Sequence, residues 1–161
     1  MLNIEISETG KFMSKLLIEK TFDTFLMVES NVMTNASYKI NGRINKSFFD
    51  EEEIEKLPSK EYVTWGSARP HIYNLVRGKK LPLSLKIVLI LSDANILRII
   101  EKNNLPIAVD DVANLSLNIY YDGEKVMVTT VATMNTFSTD KTLSILWDEN
   151  VSAFFKQNMI V

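Results

Sequence analysis

The chain has 161 residues, of which 46% are hydrophobic and 24% charged, with a formal net charge of −2 and no cysteine. Such a length fits one domain with enough buried surface to fold without covalent staples, and the composition excludes a disordered chain. The missing cysteines exclude disulfides, thiolate metal sites and a thiol nucleophile, while the near-neutral charge argues against a polyanion covering the whole surface.

Elements are legible from the N-terminus onward. Glu5 and Glu8 interrupt any apolar leader, and the alternation of Leu2, Ile4 and Ile6 predicts a first strand. Ser7 has the character of an N-cap for a helix whose apolar stripe is Phe12, Met13, Leu16 and Leu17. Phe25 to Thr34 reads as a long strand. A second strand follows through Tyr38 and Ile40 to a tight turn at Asn41-Gly42, where glycine supplies a positive φ. The acidic run Asp50 to Glu53 suits the first turn of a short helix, Ser47 and Asp50 have capping-box spacing, and Pro58 ends the element.

A further helix is predicted from Ser67 as N-cap, with Pro70 in its first turn and Gly78 just past its end. Leu83, Leu85, Ile87, Leu89 and Leu91 then alternate. Val88 and Ile90 make the opposite face apolar too, which predicts a central strand covered on both sides. Ser92 caps a helix carrying Ile96, Leu97, Ile99 and Ile100. Strands over Leu115–Tyr121 and Lys125–Val131 flank the hairpin signal Asp122-Gly123. The last helix is predicted from about Thr139 to Lys156, with the stripe Leu143, Leu146, Trp147, Val151, Phe154 and Phe155. Hairpins with dispersed helices imply one α+β domain over residues 1–161. Its sheet is expected to be mainly antiparallel, with about five to six strands and about four to five helices.

The longest apolar stretch, Leu81 to Leu91, is broken by Pro82, Ser84 and Lys86. A span needs about 20 apolar residues, so no membrane association is expected and the cytoplasm is the expected compartment.

Little in the chain carries recognisable chemistry. His71 is the sole histidine, so a histidine metal cluster is excluded and any histidine base must be that residue. There is no Gly-x-Ser-x-Gly and no Gly-x-Gly-x-x-Gly. Gly78-Lys79 resembles a phosphate loop only superficially, because Tyr73 stands where its earlier glycine belongs and Lys80 where Ser or Thr does. The carboxylates of Glu51–Glu53 and Asp148-Glu149 lie on predicted helices and diverge. Asp110-Asp111, just before a strand, reads as a turn ahead of a weak Mg²⁺ site. No cofactor and no metal is expected.

Charge is unevenly distributed. Between Tyr62 and Ser92 there is no Asp or Glu. Of the 18 Lys and Arg residues, Arg69, Arg77, Lys79, Lys80 and Lys86 fall there, leaving 13 to face 20 acidic residues elsewhere. On the predicted helix Arg69, Tyr73 and Arg77 follow at i+4 steps beside the core stripe Ala68, Ile72, Leu75 and Val76. Trp65 precedes the helix, and Lys79-Lys80 follows it. Guanidinium forks and aromatic rings in such a row suit phosphate or planar ligands. The candidate binding set is therefore Trp65, Arg69, His71, Tyr73, Arg77, Lys79 and Lys80. The plainer reading is that cations flank a core stripe and complement a helix dipole.

The outer face of the last hairpin, with Ser116, Asn118, Tyr120, Lys125, Met127 and Thr129, is a second candidate surface, and the apolar end Met159-Ile160-Val161 is a third. Either suits a partner or a second copy of the chain, although a wet sheet face is the plainer account of the first and a self-packed tail a common account of the other.

Several segments resemble a small family of uncharacterised bacterial proteins, a domain of unknown function. They are Lys11-Phe12-Met13-Ser14-Lys15-Leu16-Leu17, Thr21-Phe22-Asp23, Arg69-Pro70, Gly78-Lys79 with Pro82-Leu83-Ser84, Leu117-Asn118-Ile119 with Tyr121-Asp122, Asp140-Lys141, Trp147-Asp148 and Phe154-Phe155-Lys156. The resemblance spans nearly the whole chain and brings no activity with it. Three functions are consistent with these features. The first is a non-enzymatic binding or interaction module using the basic helix and loop, with a protein, a phosphate-bearing ligand or nucleic acid as partner. The second is a small-molecule enzyme using His71 with Arg69 and Lys79. The third is a structural homo-oligomer, in the simplest case a homodimer.

Overall fold

The alternating run after Pro82 becomes the strand at the centre of the molecule. The computed structural model describes residues 1–160. The elements are β1 (Asn3–Glu5), α1 (Thr9–Leu17), β2 (Leu26–Met33), β3 (Ser37–Asn41), α2 (Glu51–Lys56), α3 (Trp65–Val76), β4 (Ser84–Ile90), α4 (Asp93–Lys102), β5 (Val112–Tyr121), β6 (Val126–Met134) and α5 (Thr142–Gln157). Among the described residues the strands form one antiparallel sheet in the order β1-β6-β5-β4-β2-β3. The fold is α+β, and no helix among the described residues is long and apolar enough to cross a membrane.

Strand periodicity sorts the residues of β4. Leu85, Ile87 and Leu89 are completely buried, Lys86 is exposed, and Val88 and Ile90 are half-buried. The expected covering of both faces is therefore corrected in part: one face is buried along its length, while the other is exposed around Lys86 and Tyr120 and buried only at its Leu26–Ile90–Ser116 end. Leu83 is exposed and Leu91 half-buried, so the buried stripe is shorter than the alternation implied. On the covered face Val32, Leu117, Ile119, Val126 and Val128 join the β4 stripe. Phe12, Phe22, Phe25, Phe154 and Phe155 form an aromatic cluster with ring centroids 5.4 to 6.5 Å apart. Each such side chain contributes about 1.5–3 kcal/mol on burial.

Several boundaries move for local reasons. Glu8, not Ser7, is the N-cap residue of α1, and no side chain caps that helix. The β2–β3 hairpin turns through residues 34–36, where the Thr34 N–H donates to the Ala36 carbonyl, so Asn41-Gly42 is not its turn. Gly42 lies outside the positive-φ region; instead its N–H donates to the Val28 carbonyl and its own carbonyl accepts from Val63 N–H. A Cβ there would stand 1.8 Å from the Met27 carbonyl oxygen, so glycine is required by close approach.

The capping box of α2 is Asp50 with Glu53, not Ser47 with Asp50. Helix α3 begins earlier than expected, capped by Thr64 Oγ1, which accepts from Ser67 N–H at 3.2 Å; Pro70 thus stands inside the helix, beyond its first turn. Helix α5 starts at Thr142 because Asp140 accepts from both its backbone N–H and its hydroxyl. Ser92 caps α4, and Gly123 turns the β5–β6 hairpin at φ 101°.

Candidate basic contact surface

The structure separates the predicted binding residues into two groups. Trp65 belongs to the core: its ring is fully buried and its indole N–H donates to the Leu16 carbonyl at 2.8 Å. A large aromatic ring gains most by burial and its N–H needs an acceptor there, so Trp65 is a packing residue and not a surface contact. Tyr73 is half-buried and packs against the same core.

Arg69 is also committed inside the protein. Its Nε and Nη2 donate to the two carboxylate oxygens of Asp23 at 2.8 and 3.0 Å, and Nη1 donates to the Ile18 carbonyl at 3.0 Å. The hydrogen bonds it donates to Asp23 raise the guanidinium pKa above its ordinary value, with burial opposing them. Gly66 makes room for this arrangement, since a Cβ there would meet the Asp23 side chain at 3.0 Å. Lys86 is likewise paired, with Glu29 at 3.3 Å.

The other group is at the surface. His71, Arg77, Lys79 and Lys80 are exposed. Among the described residues, no carboxylate lies within ion-pair distance of Arg77, Lys79 or Lys80. The expected Arg69–Tyr73–Arg77 row does not form. Arg77 has left the helix with extended backbone at φ −66°, ψ 146°, and Arg69 is tied to Asp23.

The α3–β4 loop that follows was not legible as a site. It turns at Gly78, whose φ of 144° disfavours a side chain. Pro82 is buried, while Leu81 and Leu83 on either side of it are 78% and 65% exposed. Leu83 N–H donates to the Met33 carbonyl at 2.8 Å, and the Leu83 carbonyl closely approaches Gly123. The loop is thereby pinned between the β2–β3 and β5–β6 hairpins and holds two leucines in solvent beside three cations. The signal missed in the sequence is the pair of leucines flanking Pro82, of which Leu83 reads as part of the strand alternation and Leu81 as the start of an apolar stretch.

The second surface is as expected for a wet sheet face. In register across it run Lys39, Asn31, Lys86, Tyr120, Met127 and Glu5, with Asn118 beside Thr129 in the next row. Ser116 is buried, however, and Lys125 pairs with Glu5 at 3.0 Å. At the chain end Ile160 is buried and Met159 exposed, while Val161 lies outside the described residues.

Among the described residues, clefts of about 460, 340, 750 and 390 Å³ open on the surface. Their walls come from segments other than the exposed basic group; the second hypothesis, with His71, Arg69 and Lys79 converging in a cleft, finds no such convergence in them.

A model for a family of unknown function, DUF5721, matches residues 15–161. The chain belongs to that family. Comparison with curated proteins and with solved structures found no match. The family match covers both partners of the Asp23–Arg69 pair and the whole α3–β4 loop.

Proposed function

We propose that this member of the family is a non-enzymatic, cytoplasmic interaction module whose contact surface is the α3–β4 loop. Its partner on this reading is a protein that presents carboxylates around an apolar patch. One observation carries the proposal: Arg77, Lys79 and Lys80 lack ion-pair partners and share a pinned loop with exposed Leu81 and Leu83.

The chemistry divides between the two residue types. Covering an exposed leucine contributes about 1.5–3 kcal/mol, which supplies affinity. The cations accelerate encounter and fix orientation more than they add affinity. A protein surface fits this pattern better than single-stranded nucleic acid does. Base stacking needs exposed rings, and Trp65 and Tyr73 are packed inward. A loop of this size makes a small contact area, in keeping with a transient complex.

Retention on immobilised poly-glutamate, measured as a function of salt, tests the reading. The wild-type chain is expected to bind at low salt and to elute as salt rises, and the triple variant R77E/K79E/K80E to pass through unretained. Equal retention of the two proteins contradicts the proposal.

A further inference from the structure

Helices α4 and α5 both line an open cleft of about 460 Å³. Its floor is apolar, formed by Leu91, Ile99, Trp147, Val151 and Phe154 above Phe25. The Phe154 ring is half-buried and stands 5.7 Å from that of Phe25, so the aromatic cluster of the core surfaces at this point. Trp147 offers only its hydrocarbon ring, because its indole N–H is already donated to the Ser116 carbonyl at 3.0 Å.

The rim is sorted by charge. Helix α4 contributes Arg98 and Lys102, one helical turn apart and therefore on the same side, with Asn95 and Asn103 beside them. Arg98 donates to Asn95 Oδ1 at 3.2 Å. Among the described residues neither cation has a carboxylate within ion-pair distance. Helix α5 places Glu149 and Asn150 on the opposite wall.

We infer that this cleft binds a small amphipathic monoanion. Its carboxylate is held by Arg98 and Lys102, and its apolar body lies on the Trp147–Phe154 floor. Small-molecule sites span roughly 300–1,000 Å³ and combine an apolar lining with a few convergent polar groups, which is the construction seen here. A guanidinium fork matches a carboxylate in geometry as well as charge. Glu149 on the far wall disfavours a second negative charge, which selects a ligand with one anionic head and a neutral tail. The site uses residues unrelated to the α3–β4 loop, so the two proposals stand independently.

Titration with octanoate, and separately with octanol, followed by amide and indole N–H chemical shifts, tests the inference. Octanoate is expected to shift the Trp147 indole resonance and the amides of α4 and α5 saturably, with octanol binding about tenfold or more weakly. The variant R98E/K102E removes the preference for octanoate. Both side chains are exposed, so the fold is expected to survive, and R98Q/K102Q serves as a milder second variant. Absence of saturable shifts overturns the inference, as do equal binding of octanol, shifts spread over the whole spectrum, or an unchanged preference in the glutamine variant.

Discussion

Arg69 and Asp23 are joined by two parallel hydrogen bonds, Nε to Oδ1 at 2.8 Å and Nη2 to Oδ2 at 3.0 Å, with side chains only 14% and 21% exposed. This pair ties the segment after α1 to the outer side of α3, and Nη1 extends the tie to the Ile18 carbonyl. Removing one partner strands the other charge in a poorly solvated position. Arg69→Ala is expected to cost about 2–3 kcal/mol, somewhat below the fully buried range because both groups retain some solvent. Arg69→Lys recovers little, since a single ammonium cannot reproduce three directed bonds. Urea unfolding midpoints check this. A loss within about 0.5 kcal/mol, the range of ordinary surface substitutions, contradicts it.

Two glycines give opposite expectations. At Gly42 an added methyl would meet the Met27 carbonyl oxygen at 1.8 Å, and both are held by the β2 pairing. Gly42→Ala should therefore destabilise by about 3 kcal/mol or more, as backbone must move. Gly10, in α1, has nothing within 4 Å of the same position. Gly10→Ala should be neutral or stabilise by up to about 1 kcal/mol through helix propensity. Thermal unfolding of the two variants separates them, and similar effects would contradict the geometry.

Thr130 is buried on the covered face, directly across from Leu117. Its hydroxyl accepts from Leu2 N–H at 2.8 Å and donates to the Asp148 carboxylate. Thr130→Val keeps the shape but leaves the Leu2 N–H without its acceptor and Asp148 with only the Met1 ammonium, at an expected cost of about 1–3 kcal/mol. Thr130→Ser retains the hydroxyl and should lose less. Equal losses for the two would show that packing, not hydrogen bonding, sets the effect.

The β5–β6 turn has a pH signature. Asp122 Oδ1 accepts the N–H of Lys125 at 2.8 Å and of Glu124 at 2.9 Å. These bonds, the Lys125 one foremost, hold its carboxyl below the ordinary range. A depressed folded value means that the turn's contribution is complete above the ordinary Asp pKa of about 3.9 and is lost as pH falls through the lower folded value. An NMR titration of the Asp122 carboxyl should give a midpoint below that of an unfolded peptide. A midpoint at or above it contradicts the bonding. Asp122→Asn keeps an acceptor oxygen and should abolish this titration while leaving the hairpin formed.

The fold was legible wherever local chemistry and periodicity agreed. Asp122-Gly123, Ser92 as a cap and the stripe Leu85, Ile87, Leu89 all appear as expected. Helix starts moved for local reasons, at Glu8, Asp50 and Thr64, while the larger failures come from long-range contact. Gly42 is dictated by the Met27 backbone, and the open sheet face by which side the helices pack on. The site was half legible. Charge segregation located the stretch, but nothing local tells that Asp23, 46 residues away, has claimed Arg69, or that the core has claimed Trp65. Leu83 was hidden by the strand alternation and Leu81 by the apolar stretch that it begins, although Pro82 between them marks the break.

The most direct test of the α3–β4 loop as contact surface is amide chemical-shift mapping of the wild-type chain with poly-glutamate at low salt. Shifts are expected to concentrate on residues 77–83 and the adjoining turns at Met33 and Gly123, and to vanish as salt screens the charges. Shifts confined to the exposed sheet face around Lys39 and Asn31, or absent altogether, would contradict it.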